Sequence, residues 1–189
     1  MGRVLQRLHG FWKNRTGVAA MQFAMIMPVL VFVYVGVVSS FLTARAVQQA
    51  SNTSTTLADL ATRVIDMDDD NRDAFFVTAD ALMDRWRGAS TYGVSITCLI
   101  NPVESSPSDP EVALAVHWSQ ATKSELVMED TDLDTFELPD IAEGESMILV
   151  VVSGTYDRPF AGFGLGEQVT VERYSVRRPR FVSIVEYVS

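Results

Sequence analysis

No charged residue occurs from Thr16 to Ala44, a run of 29 positions bounded by Arg15 and Arg45. Its apolar centre reads Val18-Ala-Ala-Met-Gln-Phe-Ala-Met-Ile-Met-Pro-Val-Leu-Val-Phe-Val-Tyr-Val-Gly-Val-Val38. About 20 apolar residues in a helix cross a bilayer core, so the segment is long enough to span one. The apolar region of a secretory signal is shorter, roughly 7–15 residues. Ala44-Arg45-Ala46 has the small-x-small form of a cleavage site, but an arginine inside it fits poorly. A permanent anchor and a leader removed at the cytoplasmic edge both stay open.

Charge is divided as sharply as hydropathy. The 189-residue chain carries a net −9, yet no acid precedes Asp59. Arg3, Arg7, Lys13, Arg15 and Arg45 give residues 1–58 a charge of +5. Residues 59–189 hold 10 bases against all 24 acids, −14. The basic flank predicts a cytoplasmic N-terminus and an exported acidic domain. An overall pI near 4.6 argues against nucleic acid as a partner, because binding a phosphate backbone needs a basic face. A single cysteine forms no intrachain disulfide, and two histidines leave little for a metal site. No cofactor is expected.

Polar details interrupt the span. The Gln22 amide needs a hydrogen-bond partner or the interface. Pro28 lacks an N–H and loosens the helix at that depth. Gly36, Ser40 and Ala44 follow the small-xxx-small spacing that permits close helix approach.

The stretch Gly17-Val-Ala-Ala-Met-Gln-Phe-Ala-Met-Ile-Met-Pro28 resembles the N-terminal signature of the TadE/TadF family. These are minor pilins, or pseudopilins, of the tight-adherence (Tad, or Flp) type IV pilus system. The pattern is a basic leader, a Gly, small residues, Glu-Phe at the fifth and sixth positions after Gly, and a Pro at the eleventh. Gly17, Phe23 and Pro28 fall on it, preceded by Arg15; Gln22 stands where the family usually has Glu. Arg177-Arg-Pro-Arg-Phe181 is similar to an Arg-Pro-Arg ending frequent in these proteins. The strong part of the likeness covers about a dozen residues. It implies cleavage between Gly17 and Val18 by a prepilin peptidase. It also implies that Gln22, Phe23, Pro28, Gly36 and Ser40 serve helix packing. The implied partners are other Tad pilins and pseudopilins, the inner-membrane assembly platform and the lipid bilayer. In pilin-type helices the usual Glu pairs with a neighbouring subunit's N-terminal amine. Gln accepts a hydrogen bond from that amine without neutralising it. The departure favours a tip position or a membrane-resident assembly role over deep packing in a shaft.

After Arg45, apolar or small residues recur at Val47, Ala50, Ser54, Leu57, Ala61 and Val64, a helical seam. The expected layout is a leader at 1–17, a transmembrane helix at 18–44, a helical extension at 45–65 and a periplasmic domain at 66–189. The seam packs under the chain's own domain in preference to a partner helix. Ser51-Asn-Thr-Ser-Thr-Thr56 has poor helix propensity and predicts a bend or fraying. A second helical pattern puts Phe75, Ala79, Leu82, Met83 and Trp86 on one face and stops at Gly88. Strand-like runs follow at 94–100, 112–118, 147–156, 169–176 and 181–188. Helices first and strands afterwards predict an α+β fold with a mainly antiparallel sheet. The runs at 112–116 and 148–152 are apolar on both faces and read as central strands.

Nothing in the head assembles a catalytic set, and a non-enzymatic role is expected. Asp66, Asp68, Asp69 and Asp70 sit where a helix begins and suit its dipole. Glu129-Asp-Thr-Asp-Leu-Asp134 has the alternate acids of a calcium loop but neither its sixth-position Gly nor its twelfth-position acid. Gly162-Phe-Gly-Leu-Gly166 leads into a strand, where a nucleotide fingerprint must open a helix. It reads as a hairpin tip whose Phe160 and Phe163 face a partner or the core. Cys98 reads as a buried thiol. Arg173, Arg177, Arg178 and Arg180 form the only basic patch on the acidic head. They either bridge neighbouring acids, or Arg177, Arg178 and Arg180 dock another acidic subunit. The alternative to a pilin is an uncleaved single-span anchor carrying a periplasmic binding or sensor domain.

Overall fold

The computed structural model describes residues 16–83, 89–102, 114–157 and 168–188. Two compact units divide the chain, Met1–Phe41 and Leu42–Ser189. A single helix, α1 (Thr16–Ala61), supplies the described part of the first and the opening of the second.

In the first unit most large apolar side chains of α1 are uncovered (Phe23 is 65% exposed, Met25 81% and Phe32 61%), whereas Val35 and Ser39 toward its end are buried. Among the described residues α1 is the one helix long and apolar enough to cross a membrane, with a mean hydropathy of 2.3 over 18 residues. Such a surface is unstable in water and requires another solvent or a partner.

The second unit is α+β, as the order of elements predicts. After α1 come β1 (Asp66–Met67), α2 (Asp69–Met83), β2 (Ala89–Ile100) and β3 (Ala115–Ala121). They are followed by β4 (Ser146–Asp157), β5 (Gln168–Arg177) and β6 (Glu186–Tyr187). Four strands make an antiparallel sheet in the order β3-β2-β4-β5. β1 and β6 pair in parallel as a separate two-stranded ribbon.

Alternation decides which residues meet which layer. Ile148, Val150 and Val152 of β4, with Val94, Ile96 and Cys98 of β2, face a core shared with Ala46, Ala50, Leu57, Ala58 and Ala61 of α1 and Phe75, Ala79 and Met83 of α2. Met147, Leu149 and Val151 face the opposite layer, closed by Leu133, Ile141 and Phe136. Burial on both faces explains the unbroken apolar run 147–152. Ala50, Leu57 and Ala61 of the seam are buried in the core that α1 shares with the sheet, so the intramolecular use expected of the seam is the one observed.

The stretch 51–56 is helical throughout and does not fray. Its hydroxyls bond back into the helix, Thr55 to the Ser51 carbonyl (2.9 Å) and Thr56 to the Asn52 carbonyl (2.8 Å). Thr53 and Ser54 are buried, so tertiary packing overrides a weak propensity. α1 stops at Ala61, four residues short of the expected end, where the Thr62 hydroxyl donates to the Asp59 carbonyl (2.8 Å). Asp68 caps α2 by accepting from the Asn71 amide (2.7 Å), as the acids there suggest. Trp86 and Gly88 lie outside the described residues.

Two strand expectations need correction. β3 is an edge strand beginning at Ala115, so the apolar run at 112–116 does not make a central one; 112 and 113 fall outside the described residues. Val116 faces the second layer under the 3-10 turn Asp130–Thr135, whose Asp130 carboxylate accepts the Val116 amide (2.6 Å). A covering loop, and not a flanking strand, accounts for its apolarity. Of 181–188 only Glu186–Tyr187 is strand. The rest is irregular chain tied down singly, with Trp118 Nε1 donating to the Val185 carbonyl (2.7 Å) and the Ser146 hydroxyl donating to the Ser183 carbonyl (2.7 Å). The turn at Gly144 uses a positive φ of 76°, a conformation natural to glycine.

Leu57 is fully buried between α1 and the sheet. Leu57→Ala is expected to cost about 2–5 kcal/mol, read as a lower denaturant midpoint by tryptophan fluorescence of the full chain in micelles.

Candidate functional site

The signature residues lie on the first unit's part of α1. Gly17 and Val18 are in its opening turn and exposed, with open space around the Gly17 Cα. Gln22 and Phe23 are exposed one turn further on. Pro28 is inside the helix and removes one backbone donor, which would otherwise bond the Ala24 carbonyl. Gly36 is half-buried, Ser40 and Ala44 are exposed, and nothing lies within 4 Å of a side chain built at Gly36. The helix therefore presents the residues expected to pack against other helices on open surface. It carries no charge, so its chemistry is apolar contact plus the Gln22 carboxamide and the hydroxyls of Tyr34, Ser39 and Ser40.

The basic patch does not act as a unit. Arg178 bridges Glu145 (3.2 Å) and donates to the Asp140 carbonyl (3.1 Å). Arg180 pairs with Asp59, and its backbone amide donates to the Thr62 carbonyl (3.0 Å). Arg63 also bridges Asp59 (2.6 Å), and its hydrogen bond, with the field of Arg180, holds that carboxyl below the usual range. The Arg-Pro-Arg stretch thus staples the chain after β5 to α1 on one side and to the β4 approach on the other. Arg177 is exposed at the end of β5, and Arg173 donates to the neighbouring Glu172 carbonyl (3.2 Å). Bridging to the chain's own acids accounts for Arg178 and Arg180. Phe160 and Phe163 lie outside the described residues.

The remaining titratable candidates are accounted for locally. His117 Nε2 contacts Glu186 (2.8 Å) across the β3 surface. Asp132 accepts the Glu129 amide (3.0 Å), so the acid-rich loop is organised by its own backbone. Cys98 is fully buried, and burial pushes its thiol up to about 11.

One feature of the second unit went unread in the sequence. A groove of about 590 Å³ runs between α1 and the end of α2, lined by Arg45, Gln48, Gln49, Asn52, Thr53, Thr56, Ala81 and Leu82. The α1 residues recur at intervals of three and four, one helical face. That spacing was legible; the low helix propensity of the same stretch masked it. Gln49 is engaged, donating to the Leu82 carbonyl (2.9 Å).

These features define a class: an α+β domain on a chain with one helix able to span a membrane. Comparison with protein-family models, curated proteins and solved structures finds no match for the chain.

The Cys98 thiol sets a pH expectation. With its folded value above that of the unfolded chain, the native state keeps a proton that the unfolded state loses, so stability falls as pH rises from about 9 toward 11. At pH 8 the folded protein should resist alkylation by iodoacetamide and react fully after denaturation; rapid reaction of the native protein contradicts this burial.

Proposed function

We propose that the chain is a minor pilin or pseudopilin-type subunit of a Tad (Flp) pilus, working by packing and not by chemistry. In this reading the uncharged part of α1 lies in the inner membrane, the basic leader stays in the cytoplasm and the −14 head stands in the periplasm. The observation that carries it is the change of character along one unbroken helix. Its first part exposes apolar side chains around Gly17, Phe23 and Pro28, and its second part is buried as the spine of an α+β head. A subunit that assembles by inserting its helix among others needs that division.

Gln22 bears on where in the assembly the chain works. In an environment without water, a carboxamide needs a partner but carries no ion to be neutralised. A subunit at the tip, or one that remains in the membrane complex, is compatible with a neutral residue there. Its partners are other pilins and pseudopilins, the assembly platform and a prepilin peptidase, and no catalytic role is assigned to the chain itself.

Intact mass of the protein recovered from membranes tests the reading. Cleavage after Gly17 gives a mature chain beginning at Val18. An intact leader in cells that contain an active prepilin peptidase contradicts it and leaves a plain membrane anchor.

A further inference from the structure

The groove between α1 and α2 has a composition that the packing of the head does not require. Arg45 makes no ion pair among the described residues, whereas Arg63, Arg72, Arg178 and Arg180 do. The Gln48 and Asn52 side chains have no hydrogen-bond partner among the described residues. The Thr53 hydroxyl has none either, and Thr53 is only 2% exposed while lining the groove. A buried hydroxyl left unpaired costs roughly 1–3 kcal/mol, so its retention at the groove calls for an occupant. Valine would fill the same volume without that cost.

These groups are one cation, two carboxamides and a hydroxyl, all able to donate. Lining one groove, they suit an acceptor-rich anion, with arginine supplying the charge that phosphate oxygens favour. The volume is within the range of a small-molecule site. Arg45 is also the first charge after the uncharged run, so a helix inserted up to Ala44 puts the groove at headgroup depth. The acidic surroundings (residues 59–189 carry −14) make a freely diffusing anion a poor competitor for one tethered in the bilayer.

We propose that this groove holds the phosphate group of a membrane phospholipid, with Arg45 as its ionic partner and Gln48, Asn52 and Thr53 as neutral donors. The inference rests on the membrane insertion proposed above but is independent of pilus assembly and of leader cleavage. The head would then be tied to the bilayer surface by a specific lipid as well as by its helix.

Native mass spectrometry of the full chain released from phosphatidylglycerol-containing membranes into mild detergent provides the test. Wild type should retain one phospholipid, and Arg45→Gln and Thr53→Val should each lower the retained fraction about fivefold. Arg173→Gln, the same charge change on the distant strand β5, should leave it unaltered. Circular dichroism and thermal melting check folding. Thr53→Val removes an unpaired hydroxyl, so an intact or raised Tm together with lost lipid separates recognition from structure. Retention that ignores both groove variants overturns the proposal. Lipid retention equal in all three variants means nonspecific annular lipid. Binding of inorganic phosphate to the groove without lipid retention identifies a soluble anion as the occupant and overturns the lipid assignment. Membrane insertion is scored separately: wild-type protein extracted by alkaline carbonate indicts the parent reading, whereas membrane-retained protein without groove-dependent lipid indicts only this inference.

Discussion

The core shared by the small-residue seam of α1 and the antiparallel sheet is the constraint on which the rest of the head depends. Ala46, Ala50, Leu57, Ala58 and Ala61 are buried in one cluster with Val94 and Ile96 of β2 and Ile148, Val150 and Val152 of β4. That contact holds a stretch of poor helix formers in helical form and gives β4 its first buried face. Just past the helix end at Ala61, the Thr62 carbonyl accepts the Arg180 amide and so fastens the returning chain. A bulky residue at Ala50 or Ala61, both fully buried, would separate the layers.

The same helix faces two different demands. From Val18 to Val33 the side chains are apolar almost throughout and exposed all round the helix, as suits an apolar surrounding. From Val35 the helix has a covered face, with Val35 and Ser39 buried, and beyond Leu42 that face joins the core of the head while another is polar and lines a groove. Arg45 is the first charge after the apolar part. A uniformly apolar helix in water would aggregate, and a two-sided one in lipid would strand its amides, so the order of the two halves along α1 is informative about solvent.

Much of this was legible in the sequence. The charge-free run, the seam at Val47, Ala50, Ser54, Leu57, Ala61 and Val64, the Asp68 cap and the both-face burial of 148–152 each follow from local pattern. The misreadings share a cause. The run at 112–116 was apolar because a loop covers it, and no periodicity distinguishes a covering loop from a neighbouring strand. The tail at 181–188 looked like a strand because its residues are β-formers, but single tethers from Trp118, Ser146 and Met67 place it. The groove escaped because its polar residues carry low helix propensity, and propensity cannot report that a distant sheet holds the helix together. The residues Gly17, Gln22, Phe23 and Pro28 were singled out only through resemblance, and the structure places them exposed on α1.

The central claim is that α1 crosses a membrane, with the acidic head outside the cytoplasm. Protease treatment of intact spheroplasts carrying the protein, with the membrane-retained fragment identified by mass spectrometry, tests it most directly. The account predicts that the head is digested while a fragment containing the α1 span survives in the membrane. A head protected until the membrane is breached, or a chain released whole by carbonate, contradicts it.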